Sequence, residues 1–267
     1  MSHEIIDVHC GWGPTPAAPE WNQATVVSEA LKTRGVGSAC LSSFLARRYD
    51  PIGGNETIAE VVNAPNESCD FRGWLTVQPA QHEESSTLMR RFLYSDRFVG
   101  AALYPNPATG ESVTVAYARA LLILVRRYSK ALLIETPTAE AMWQAVEIAG
   151  FMQGVKIIAS GMGGEEWRSA IDYACKPSNL FLDISGSLVP EKLHYAIHAM
   201  NGARKLVFAS GAPTTDPAAV LAMVEEAGLS PDEKEKIFHA NAQRVFGWRS
   251  SSDDEAGAGL ALTPMGE

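Results

Sequence analysis

The chain has 267 residues, 46% of them hydrophobic and 20% charged, with a formal net charge of −9, values ordinary for a soluble globular protein that can bury its apolar surface without disulfides or metal staples. The acidic balance speaks against nucleic acid as a partner, because phosphate binding calls for clustered Lys and Arg. No apolar run reaches the roughly 18 residues that span a bilayer, and the cysteines Cys10, Cys40, Cys69 and Cys175 show no CxxC spacing, so free thiols in a cytoplasmic protein are expected.

Taken in chain order, Glu4 to Val8 reads as a strand rather than a signal segment. Strands are expected over Ile5–Cys10, Gly37–Ser42, Arg72–Val77, Val99–Tyr104, Ala131–Thr136, Val155–Ser160, Leu180–Ser185 and Leu206–Ser210. Between them, Thr25–Thr33 and Met142–Ile148 carry apolar residues at helical spacing. Glu166–Cys175 opens with carboxylates, as a helix N-terminus prefers. Pro190 and Pro217 stand where a first helical turn tolerates proline. Strict strand–helix alternation implies parallel strands, since parallel neighbours need a crossover. About eight such units fit a single (β/α)8 TIM-like barrel better than an open doubly wound sheet, and no GxGxxG follows the first strand. A last helical segment, Pro231 to Phe246, would close the bottom or flank of the barrel. After Trp248 the chain turns to Ser, Asp and Glu and then Gly and Ala. The domain reading is therefore a barrel over residues 1–248 and a disordered tail over 249–267.

Ile5-Ile6-Asp7-Val8-His9-Cys10-Gly11 resembles the Asp-x-His-x-His first strand of the amidohydrolase-related family of metal-dependent hydrolases, with Gly11 where the second histidine is expected. Asn179 to Gly186 resembles that family's seventh strand, and Arg204 to Pro213 its eighth strand and loop. Asn241-Ala242-Gln243-Arg244-Val245-Phe246-Gly247 resembles its Asn-Ala-x-x-x-Phe-Gly signature. The resemblance runs from about Glu4 to Trp248. It implies metal ligands at the tips of strands one, five, six and eight. Here strand five offers Glu135 for a histidine, strand six ends Gly161-Met162-Gly163-Gly164 for His-x-Gly-Gly, and strand eight ends Ser210-Gly211-Ala212-Pro213 for Ser-Asp. A catalytic zinc wants about three protein ligands plus water. Of the expected set only His9 stands in place, so a degenerate metal site and no cofactor are expected. Without a metal, water keeps a pKa near 15.7 instead of about 7. Asp183 and Asp216 are the residues from which a shifted metal site would recruit.

His9 and Glu135 are the candidate acid–base pair. Asp7, two residues before His9, is expected on the same strand face and in the same mouth. Tyr104, Asn106, Gln78, Ser185 and Ser210 are candidate polar walls of a substrate pocket at the strand tips. Cys10 adjoins His9 but should face the other way and pack as a small apolar residue. His194 and His198 are four apart without the Glu of HExxH, and read as a solvent face. Gly161, Gly163 and Gly164 read as a tight turn or an anion-cradling loop.

Three functions stay open. One is an amidohydrolase-like protein that has lost most metal ligands and binds a small polar or carboxylated molecule at the barrel mouth. The second is a metal-independent hydrolase or lyase in which His9 and Glu135 move protons on an activated substrate such as a lactone. The third is a non-catalytic scaffold or partner subunit. The expected partner is a small-molecule ligand, with neither nucleic acid nor membrane, and the resemblance allows a homodimer.

Overall fold

A computed structural model describes residues 4–248; the tail expected over 249–267 lies outside them. Eight parallel strands form one sheet in sequence order. The first half comprises β1 (Ile5–Trp12), α1 (Ala24–Lys32), β2 (Val36–Ser43), α2 (Phe44–Arg48), α3 (Pro51–Asn63), β3 (Asp70–Thr76), α4 (His82–Phe92), β4 (Phe98–Leu103) and α5 (Val115–Tyr128). The second comprises β5 (Ala131–Glu135), α6 (Ala139–Phe151), β6 (Ile157–Ser160), α7 (Trp167–Ala174), β7 (Leu180–Asp183), α8 (Glu191–Ala199), β8 (Leu206–Val207), α9 (Pro217–Glu226), α10 (Pro231–Glu235) and α11 (Asn241–Phe246). The sheet is nearly closed. Val8 N–H donates to Phe208 O (3.0 Å), Gly211 N–H to His9 O (3.1 Å) and Gly11 N–H to Ala212 O (2.6 Å), which ties β1 to the segment after β8.

Two buried clusters reflect the two faces of such a sheet. One fills the barrel and includes Ile6, Val8, Cys40, Trp74, Leu133, Ile158 and Phe181. The larger lies between the strands and the outer helices, as strands covered by crossovers require. Ala242 and Val245 of α11 belong to the inner cluster, with Phe246 and Trp248 packed against it, so this helix plugs the barrel floor.

The expected single helix from Pro231 to Phe246 is interrupted by a π-helical segment, Lys236–Ala240. Phe208 N–H donates to Ile237 O at 2.8 Å, so one carbonyl of this segment serves the strand instead of the helix ladder, a common setting for such bulges. The same bond helps to end β8 at Val207, short of the expected Ser210. The segment between β2 and β3 holds two helices. α2 is five residues long, and the Ser43 hydroxyl caps it by accepting from Ala46 N–H at 3.2 Å. None of its residues was singled out in the sequence, yet it brings Phe44 and Arg47 to the mouth. Among the described residues no helix is long and apolar enough to cross a membrane, and the four cysteines are free thiols.

Candidate functional site at the barrel mouth

The tip of β1 carries a bulge. From Asp7, opposite Ala39, to Cys10, opposite Leu41, β1 uses one more residue than β2. Bulges re-aim side chains: Val8 packs inside the barrel, and His9 after it turns inward as well. The His9 ring reaches four other strand tips. Its Nδ1 is 2.9 Å from Ser160 Oγ and 3.7 Å from Asp183 Oδ2; its Nε2 is 3.2 Å from the Tyr104 hydroxyl and 3.3 Å from Ser42 Oγ.

The bulge also corrects the expected placement of Asp7, which does not share the mouth contacts of His9. Its Oδ1 accepts the backbone N–H groups of His9 (3.2 Å) and Ser210 (3.1 Å). Burial raises its carboxyl against the bonds from Ser210, Cys10 and His9. Cys10 lies in the outer cluster, 3.6 Å from Ser210 Oγ, and burial pushes its thiol well up, so it is a packed thiol.

Asp183 is fully buried. Burial alone would raise its carboxyl, but His9 and the Ser160 and Ser185 hydroxyls outweigh that and hold it below the ordinary range. Its Oδ1 accepts Gly161 N–H (3.0 Å), Ser185 N–H (3.1 Å) and Ser185 Oγ–H (2.5 Å). Its Oδ2 has no hydrogen-bond partner among the described residues. Beneath, buried Lys192 donates to the carbonyls of Ile184 (2.8 Å) and Ser185 (2.9 Å). Burial lowers its ammonium to about 8, against the pull of Asp183.

Glu135 does not pair with His9. Its Oε2 accepts from Arg47 at 2.5 Å, with the two side chains only 21% and 28% exposed. The pair spans the mouth from the β5 tip to α2. The Arg47 guanidinium also lies 4.5 Å from the Tyr104 ring centroid, within cation–π range. Burial pushes the Tyr104 phenol up to about 12, with Arg47 pulling the other way, so it remains a proton donor at neutral pH. Gln78 holds the end of α2, donating to Ala46 O (2.8 Å) and Arg47 O (3.2 Å).

Of the expected pocket walls, Gln78, Tyr104 and Asn106 line one cavity of about 190 Å³ together with Arg47. Ser185 and Ser210 lie elsewhere and are buried: Ser185 serves Asp183, and the Ser210 hydroxyl accepts Ala212 N–H at 3.0 Å. A larger hollow of about 570 Å³, between Trp12, Phe44 and Tyr49, includes no member of the His9 cluster. His194 and His198 are exposed on α8. The residues that carry the site and were not singled out are Ser42, Ser160, Arg47 and Lys192. Ser42 and Ser160 end expected strands, so the strand-tip rule reached them without ranking them. Arg47 sits on a helix too short to show a period.

The strand tips where the family resemblance places ligands are shaped for glycine. A Cβ on Gly11 would lie 2.1 Å from Phe44 Cζ, so the Phe44 ring fills the space of a side chain there. Gly161 and Gly211 have φ of 93° and 69°, a region that residues with a Cβ rarely enter. Asp216 caps α9 and pairs with Arg34 at 3.1 Å on the exterior, away from Asp183. Among the described residues no group of three or more His, Cys, Asp or Glu could hold a metal ion. The donor set therefore does not fit a centre of about three protein ligands.

Residues 53–248 match the model of the family described as Amidohydrolase. Among solved structures, the chain is similar to 5-carboxyvanillate decarboxylase from Sphingomonas paucimobilis, with 17% identity, TM-score 0.71 and coverage of 92% of this chain and 99% of that one. It is similar to dihydroxybenzoic acid decarboxylase from Polaromonas, solved with manganese and 2-nitroresorcinol, at 17% identity, TM-score 0.70 and coverage of 98% and 100%. A putative 2-pyrone-4,6-dicarboxylic acid hydrolase from Pseudomonas putida follows at 15% identity, TM-score 0.65 and coverage of 94% and 100%. No curated protein sequence matches the chain. At these identities the structural likeness is one of fold.

Proposed function

The chain belongs to the amidohydrolase family, and from that premise we propose that its barrel mouth binds a small carboxylated ring compound without the family's ordinary metal centre. The observation that carries this reading is Arg47: a half-buried guanidinium that lines a cavity of about 190 Å³ beside the Tyr104 ring. Arg presents a planar fork that matches a carboxylate, and an aromatic face beside it suits a ring. Glu135 now accepts from one nitrogen of that fork, and a ligand carboxylate would displace it. The names of the similar structures support the ligand class, since each refers to a carboxylated ring compound. The loss of metal ligands is part of the proposal, supported by the packing around Gly11 and the donor set.

A second reading adds chemistry: metal-independent hydrolysis or lyase activity by proton transfer at His9. Asp183 Oδ2, which has no hydrogen-bond partner among the described residues and lies 3.7 Å from His9 Nδ1, favours it, and it gives Asp183 the part expected of Glu135. A scaffold without a ligand would need none of these buried polar groups.

Thermal unfolding with benzoate, 2,6-dihydroxybenzoate and their carboxamides tests the ligand reading. A ligand at 100 times its Kd stabilises by about 2.7 kcal/mol, a rise of roughly 5–10 °C for a domain of this size. The carboxylates should raise the melting temperature and the carboxamides should not; Arg47→Met should remove the rise, and Glu135→Gln should strengthen it. Equal shifts with acids and amides, or shifts that survive Arg47→Met, would defeat the reading.

A further inference from the structure

We propose that Ser42 is a nucleophile, served by His9 as base and Asp183 as the orienting carboxylate, that takes the acyl group of a carboxylated ester or lactone bound at the mouth. This rests on the carboxylate-binding reading of the same mouth. Covalent catalysis by a hydroxyl needs a base within hydrogen-bond reach and a third group that orients the base. The structure supplies each from a different strand tip. Ser42 Oγ, at the end of β2, is 3.3 Å from His9 Nε2. On the far side of the ring, Nδ1 faces Ser160 Oγ at 2.9 Å and Asp183 Oδ2 at 3.7 Å. Such contacts are commonly long before substrate binds.

The arrangement is directed. Gly161 N–H, Ser185 N–H and the Ser185 hydroxyl all bind Oδ1 of Asp183, which leaves Oδ2, buried and without a hydrogen-bond partner among the described residues, for the imidazole. The β1 bulge turns His9 toward Ser42. Ser42 Oγ also bonds the Tyr104 hydroxyl, so it sits between the base and the proposed oxyanion donor, and its contact to Cys10 O is long at 3.5 Å. The Tyr104 hydroxyl, 3.2 Å from the same Nε2, is the nearest donor for a developing oxyanion, with Arg47 above its ring.

In the first step Ser42 Oγ bonds to the acyl carbon as its proton passes to His9 Nε2. The carbon–oxygen bond of the ester or lactone then breaks, and the leaving oxygen takes that proton. In the second step a water attacks the acyl carbon, gives a proton to His9, and the proton returns to Ser42 Oγ as the acid is released. The balance requires only substrate and water.

The probe is 4-(fluorosulfonyl)benzoate, which joins a carboxylate for Arg47 to an electrophilic sulfur on one ring; Ser42 Oγ would bond to sulfur and fluoride would leave. The full chain is incubated with it and followed by intact mass and peptide mapping. One adduct per chain on Ser42 is expected, absent in Ser42→Ala and slowed at least about tenfold in Asp183→Asn, because the orienting carboxylate sets the tautomer of the base. Melting curves check that both variants fold. An adduct on Tyr104 or Lys192, or none, in protein that benzoate still stabilises, overturns Ser42 and leaves the ligand reading standing. No adduct and no stabilisation by any carboxylate removes both.

Discussion

Around the mouth, Gly11, Gly161 and Gly211 occupy positions on or just after β1, β6 and β8, whereas His9 and Ser160 of the same β1 and β6 gather with Ser42, Tyr104 and Asp183, and Glu135 pairs with Arg47 from α2. The three glycine positions are shaped for glycine: the Phe44 ring fills the space beside Gly11, and Gly161 and Gly211 are left-handed. The polar groups beside them are charges kept out of water: Asp183 Oδ2 is buried 3.7 Å from His9 Nδ1 with no hydrogen-bond partner among the described residues, and burial loosens the proton of Lys192. Where local rules are broken at a strand-tip face without a packing gain, function is the usual reason. The contrast separates positions packed around glycine from polar groups gathered at the mouth, for which the proposed carboxylate binding gives a reason.

Placing a histidine at Gly11 tests the packed positions with the largest expected effect. Gly11→His drives a ring into Phe44, and overpacking of this kind costs about 3 kcal/mol, a fall in melting temperature of roughly 6–12 °C. Adding Phe44→Ala should recover part of the loss. A neutral Gly11→His variant would mean that this side is open and that the comparison is wrong.

Lys192 offers a smaller, pH-dependent test on the polar side. Its proton is bound less tightly in the folded protein, near pH 8, than in the unfolded chain, near 10.4. Between those values the unfolded state holds more protons, so this residue makes stability rise with pH. Measured as wild type minus Lys192→Met in denaturant melts, the difference should move in favour of wild type by up to about 3 kcal/mol from pH 7.5 to 10.5. A flat difference would show that the ammonium is not held in a dry site.

The barrel was legible because alternation of short apolar runs with amphipathic stretches leaves few topologies, and the family resemblance follows the same strands. His9 was legible because strand tips build the sites of such barrels. Its partners were not. The one-residue bulge after Asp7 reverses which neighbours face inward, and a period-2 argument cannot see it. A period-2 reading therefore places Asp7 in the mouth, whereas its Oδ1 accepts the backbone N–H groups of His9 and Ser210. The pairing of Glu135 depends on Arg47, carried by a five-residue helix whose position is set by the Ser43 cap and by Gln78 from the next strand's end. Such long-range partners leave no local pattern.

The central claim is that this mouth is a carboxylate site and not a metal centre. Elemental mass spectrometry on tag-free protein expressed with added zinc and manganese tests it most directly. The account predicts far less than one metal per chain in protein that still folds and is stabilised by benzoate. Close to one metal per chain, lost in His9→Ala, would contradict it.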